Sequence, residues 1–474
     1  MRRTILLATS LLLAASAFAG PGKMLIINAD APGIGFNDPT PAEPVGGNPG
    51  TTRGAQRYNV YLKAAEKWTT YLDMSVDVRV RGSFAPLDCS GNSAVLGQTF
   101  INSWISNFAN APRPDVYYPS ALANQFAATD LGSGDDMFIQ FNSSIDEPGC
   151  LGDRSWYYGY DGNEGDNDSL YHVVLHEIAH GLGMASRSST DFGILNQPSV
   201  YDLYTLDLVA GLTYDQMTKA QRDVSIKNTS SVVWIGDAVT RMAPSYLQPL
   251  PVFTVTQPAP VARHYDIGTA SFGPAVSTAS MSGRVVQATD AGDAAGPATT
   301  DGCSALSNGG EINGNIALID RGSCDFIVKV RYAQSAGAIG VIIADNRRDT
   351  CLPPGIGASG DTTDITIPVI SVTQDQGLAF GAQLSQSAEI RGMLHVDPSR
   401  MAGASDQGYV RLYTPCTINP GSSKHHWDVV ASPNLLMEPF INGDLTDGID
   451  LSMYQLLDIG WTLNRTGRRF VPRK

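Results

Sequence analysis

Apolar positions recur along this chain at two periods. Tyr58, Tyr61, Ala65, Trp68 and Leu72 are spaced as one face of a helix, while Val76, Val78 and Val80 alternate with Asp77, Arg79 and Arg81 as on a half-exposed strand. The pattern predicts a helix packed on a sheet, with another strand at 137–141. The aromatic run 156–160 reads as core or as a sheet edge to which an extended peptide could add. Val173, Val174, Leu175, Ile178, Ala179 and Leu182 predict a buried helix, and Gly181 and Gly183 permit close packing or a turn at its end. Beyond it, 214–224 predicts a helix and 232–235 a short strand, with no chemical role assigned. Residues 451–461 predict a last helix stopped by Gly460.

The chemistry lies in the buried helix. His176-Glu177-Ile178-Ala179-His180 places two imidazoles one turn apart on a single face, where both can reach one Zn²⁺. Glu177 is then placed to handle the proton of an attacking water. His172, a further turn back, is read as structural. A hydrolytic zinc site takes three protein ligands and keeps one position open. The next glutamate after Glu177 is Glu311, too distant for a ligand on a following helix, and a compact H-E-x-x-H-x-x-G-x-x-H site would need histidine where Ser186 stands. Asp202 or Asp207 as third ligand, giving an aspzincin-like site, is the alternative peptidase reading.

Far downstream come His425-His426-Trp427-Asp428 and then Pro433-Asn434-Leu435-Leu436-Met437-Glu438. Together with the helix motif this resembles a metzincin site of the leishmanolysin-like branch, in which an insertion separates the helix from a later His-Trp and a methionine-bearing turn. The resemblance implies His426 as third ligand, with His425 as fallback, Met437 as the Met-turn residue and Glu177 as general base. The expected reaction is peptide-bond hydrolysis. No oxyanion donor is recognisable, since Glu438 rather than tyrosine follows Met437.

The gap between His180 and His426 requires an insertion whose ends lie close together. Residues 316–320, 326–336 and 339–344 predict a strand-helix-strand unit with a right-handed parallel crossover. The stretch Asn315 to Phe326, then Ala333-Gln-Ser-Ala-Gly-Ala338, and later Ile367-Pro-Val-Ile370, resembles a protease-associated (PA) domain, a noncatalytic module. The expected fold is therefore α+β: a zincin-like catalytic domain, a twisted sheet with its active-site helix, over 20–254 and 398–474, interrupted by an α/β PA domain over 255–397.

Arg2 and Arg3 before an apolar run, and Ala17-Phe18-Ala19 before Gly20, predict a signal peptide over 1–19 and a secreted or periplasmic protein. Six cysteines without C-x-x-C pairs then point to disulfides rather than a thiolate zinc site. The expected pairs are Cys303–Cys324 within the PA-like segment, Cys89–Cys150, and Cys351–Cys416. A net charge of −14 argues against nucleic acid or an anionic membrane as partner, and no membrane anchor is predicted. The loop Asp161 to Asp168 is oxygen-rich enough to suggest Ca²⁺ but departs from calcium-loop spacing, so a solvated turn is expected. A secreted binding protein that uses only the PA domain is the non-enzymatic alternative.

Overall fold

The computed structural model describes residues 22–464 apart from 153, 189–196, 277–280, 349–350, 359, 442–444 and 446–447. The expected signal peptide lies outside the described residues. The described residues divide into two compact units, the first within 22–114, 119–181 and 461–464, the second within 115–118 and 182–460.

The first unit is built on four strands, β1 (Met24–Asn28), β2 (Val78–Ala85), β3 (Gly97–Ile101) and β4 (Met137–Asn142), in the order β1-β2-β4-β3. The first three in that order run parallel, and β3 is antiparallel along one edge. The alternation seen in the sequence continues, with Val78, Val80 and Phe84 buried on β2 and Met137, Ile139 and Phe141 on β4. Helix α1 (Arg53–Tyr71) begins earlier than its apolar spacing suggests because the Thr52 side chain caps it, accepting from Ala55 N–H at 3.1 Å. Val60, Tyr61, Ala64 and Trp68 of α1 are buried, and a side chain of the size of Val60 contributes roughly 1.5–3 kcal/mol of transfer free energy. Tyr61 lies so close to β2 that a Cβ at Gly82 would stand 2.2 Å from its ring, which explains glycine mid-strand.

The aromatic run at 156–160 is largely core. Only Trp156–Tyr157 is strand, paired in parallel with Asp168–Ser169. Trp156 and Tyr158 are buried, the indole donating to the Asn142 carbonyl at 2.8 Å and the phenol held by Arg57 and Asp146. In the adjoining loop Asp161 accepts from Tyr157 Oη and Asn163 N, and Asp168 pairs with Arg154. Helix α2 (Leu170–Leu182) follows.

In the second unit a small antiparallel sheet joins Leu212–Thr213, Thr205–Asp207, Val232–Trp234 and Val410–Arg411. Helix α3 (Asp237–Tyr246) has its first amides satisfied by Asp458, whose carboxylate accepts from Ala238 N at 2.7 Å and Val239 N at 3.2 Å. The remaining strands form one eight-stranded sheet: β5 (Pro249–Gln257), β6 (Arg263–Tyr265), β7 (Gly268–Thr269), β8 (Met281–Gln287), β9 (Ile316–Asp320), β10 (Gly340–Ala344), β11 (Val369–Val372) and β12 (Ile390–Met401). Their order is β6-β5-β12-β8-β9-β10-β11-β7, with β8 to β11 parallel. Ile316 and Leu318 enter one core and Ala317 and Ile319 the other. A sheet buried on both faces accounts for the unbroken apolar runs of β9 and β10. Helix α4 (Phe326–Ser335) covers one face with Ile327, Val330 and Ala333, and α5 (Gln374–Ser385) covers the other with Phe380. The last helix, α6 (Asp450–Ile459), stops at Gly460 in the left-handed region.

The cysteines pair as expected: Cys89–Cys150, Cys303–Cys324 and Cys351–Cys416, with Cα separations of 5.5, 5.6 and 5.8 Å. Among the described residues no helix is long and apolar enough to cross a membrane.

Candidate metal centre

Helix α2 is set by its apolar faces. Leu170, Val174, Leu175, Ile178 and Ala179 are buried, and Trp68 of α1 donates its indole N–H to the Leu175 carbonyl at 3.2 Å. Both glycines serve as their positions suggested. A Cβ at Gly181 would lie 2.1 Å from the Met137 sulfur, and Gly183 leaves the helix at φ +136°. His176 and His180 share a partly exposed face, with Nε2 atoms 3.1 Å apart. His172 is buried, in keeping with a structural residue.

Glu177 is buried, and burial pushes its carboxyl up to about 7 against the opposing hydrogen bond from Thr99. The Thr99 hydroxyl lies 2.6 Å from Glu177 Oε2 and 2.8 Å from the Glu177 carbonyl. Gly97 leaves room beside the carboxylate, since a Cβ there would be 2.8 Å from Oε1. Both residues belong to β3, the edge strand, which sequence reasoning missed. Gly-Gln-Thr-Phe-Ile carries no clean alternation, so the sequence held no signal for it.

The downstream histidines occupy turns rather than regular structure. Residues 424–428 lie along 411–413: Lys424 N–H donates to Tyr413 O, Tyr413 N–H to His426 O and Asp428 N–H to Arg411 O, at 2.6, 2.9 and 3.0 Å. His426 donates Nδ1–H to the Ser422 carbonyl at 2.8 Å, which fixes the tautomer whose Nε2 has a lone pair to offer. His425 packs edge-on against Tyr201. Met437 is fully buried and its carbonyl accepts from Trp427 N at 2.8 Å. Its turn is closed by the Glu438 carboxylate, which accepts from Leu435 N at 2.8 Å and from the Asn434 side chain, and by Asp450 of α6, which accepts from Leu436 N at 2.5 Å.

Among the described residues, His176, His180 and His426 form a group in which one ring nitrogen from each lies within 4.8 Å of the others. His425 is not a member. Neither are Asp202, whose oxygens accept from Lys424, Ser186, Ser188 and Ser199, nor Asp207, which accepts from Val209 N, Ala210 N and the Asn228 side chain. Three imidazole nitrogens, two set by one helix face and the third by a fixed tautomer, are a donor set that fits Zn²⁺.

The PA domain family matches residues 281–380, so this part of the chain is a PA domain, as the sequence resemblance implied. Short stretches are similar to known proteins. One is 41% identical over 81 residues to ER degradation-enhancing alpha-mannosidase-like protein 3 of Xenopus laevis, covering 16% of this chain and 9% of that protein. Another is 39% identical over 108 residues to an aminopeptidase of Pseudomonas aeruginosa, covering 22% and 19%. The chain thus spans under a fifth of the length of either relative. Among solved structures, a zinc aminopeptidase from Bacillus subtilis aligns with a TM-score of 0.23 at 16% identity over 42% of each chain. A likeness of that size carries no argument about the rest of the fold.

Proposed function

We propose that this chain is a secreted zinc-dependent endopeptidase of metzincin type, its catalytic part (20–254 and 398–474) interrupted by an inserted segment (255–397) that contains the PA domain. The observation that carries the reading is the histidine group with a buried glutamate on the same helix. His176, His180 and His426 would hold the metal. Zinc, when bound, acidifies water and polarises a carbonyl. Glu177 accepts the proton of the attacking water and delivers it to the nitrogen of the leaving amine. A carboxyl that burial has moved to about 7 suits both halves of that transfer. Thr99 fixes the direction of the carboxylate. Strand β3, at the end of its sheet and bearing Thr99, suits an extended substrate backbone that pairs as an added strand. Met437 serves as the Met-turn residue. The three disulfides support export to an oxidising compartment, and the PA domain takes no part in the chemistry.

The test is mass-spectrometric analysis of a diverse peptide library digested by the zinc-loaded protein and by Glu177→Ala. Internal cleavage by the first and none by the second, with equal zinc content, is expected. Cleavage confined to peptide ends would overturn the endopeptidase assignment, and cleavage by Glu177→Ala would overturn the role of the glutamate.

A further inference from the structure

We propose that Lys424 and its buried partners form a clamp that aims His426, and that Ser186, standing where a compact metzincin motif would place its third histidine, is part of that clamp. The inference rests on the reading of His426 as a metal ligand. Lys424 has a φ of +74°, a left-handed conformation that a lysine adopts only when its surroundings impose it. Its surroundings are unusually complete. The side chain is fully buried, and Nζ donates to Asp202 Oδ1 at 3.0 Å, Ser186 Oγ at 2.6 Å and Ser188 Oγ at 3.2 Å, which uses all three ammonium protons. The Tyr214 ring lies 4.2 Å from Nζ.

The partners are themselves fixed. Asp202 accepts from Ser199 N at 2.9 Å and Ser199 Oγ at 2.7 Å through its second oxygen, closing the capping box of the 3-10 turn Val200–Leu203. The Lys424 main chain is bound as well: its N–H donates to Tyr413 O at 2.6 Å, and its carbonyl accepts from Tyr201 Oη at 2.7 Å. Two residues on, the His426 ring is tied back to Ser422, so the turn 422–426 is pinned in its middle at Lys424 and closed by the ring that would bind metal. A buried ion pair gives little net stability over a well-packed apolar pair. What it supplies here is one conformation for the residues that carry His426.

The experiment compares wild type, Lys424→Met/Asp202→Asn, Ser186→Ala and His426→Ala, measuring zinc affinity by chelator competition and the thermal midpoint of the metal-free protein. The double variant is expected to bind zinc roughly 10–100-fold more weakly, as when groups that orient a ligand are lost, with its metal-free midpoint little changed. Unchanged zinc affinity would overturn the clamp. So would a loss of affinity matched by a drop of more than about 5 °C in the metal-free midpoint, since that marks general stability. If the double variant does not fold, Ser186→Ala decides: weaker zinc binding supports the clamp and unchanged binding overturns it. His426→Ala separates the two levels. If it binds zinc normally the ligand assignment itself fails, whereas if it loses zinc and the double variant does not, only the clamp fails.

Discussion

Helix α2 and the irregular stretch 422–438 both present histidine, and they do so by opposite means. The helix delivers two imidazoles through backbone periodicity, held by apolar packing together with the Trp68 indole on the Leu175 carbonyl and the Thr99 hydroxyl on Glu177. The stretch delivers one imidazole through a left-handed lysine, a buried ion pair, serine hydroxyls and carboxylates that bind backbone amides. A regular element aims its side chains for free once it is packed. An irregular one must have each backbone group satisfied individually, so its precision depends on buried polar partners far away in sequence.

That contrast can be broken in graded steps. Trp68→Ala, which removes the packing side of the comparison, should destabilise the protein by about 3–5 kcal/mol in denaturant unfolding while the folded fraction keeps its zinc. His426→Ala should weaken zinc binding by more than the roughly 10–100-fold expected for an orienting group, and His425→Ala should not; equal losses would erase the distinction between the two histidines. Thr99→Val should lower kcat roughly tenfold with KM and zinc content unchanged, and Thr99→Ser should restore most of it. The smallest effect is a pH dependence. Burial alone would raise the Asp202 carboxyl, but the Lys424 charge and the serine hydroxyls outweigh it and hold the group at about 2, below its usual 3.8. A depressed carboxylate stabilises the fold above about pH 4 and loses that contribution as pH falls through about 2. The stability gap between wild type and Asp202→Asn, read by urea unfolding, should therefore be widest above about pH 4 and narrow below it.

The same contrast explains what the sequence made legible. His176, Glu177 and His180 are fixed by local spacing, and β9, α4 and β10 appear within a residue of where apolar runs placed them, because a sheet covered on both faces writes its burial as continuous hydrophobicity. The aromatic run at 156–160, read as core or as a sheet edge, is largely core, while β3, at one edge of the first sheet, has half-exposed residues that leave no period to read. The helix expected over 214–224 spans Lys219–Ser225, because Thr218 and Gln221 form a capping box there while Tyr214 turns inward to face Lys424. Thr99 and Glu177 are 78 residues apart and Asp202 and Lys424 are 222 apart. Pairings of that range have no local signature.

Cys416 sits three residues after Tyr413 and ten before His426, and its bond to Cys351 ties this stretch to the chain ahead of β11, α5 and β12. A protease that nicks the chain anywhere between those two cysteines therefore cannot release the fragment bearing His426 and Met437. The cut protein would run as one band without reductant and as two with it. On the proposed reading as a secreted peptidase, the chain would keep its full set of side chains after such a cut.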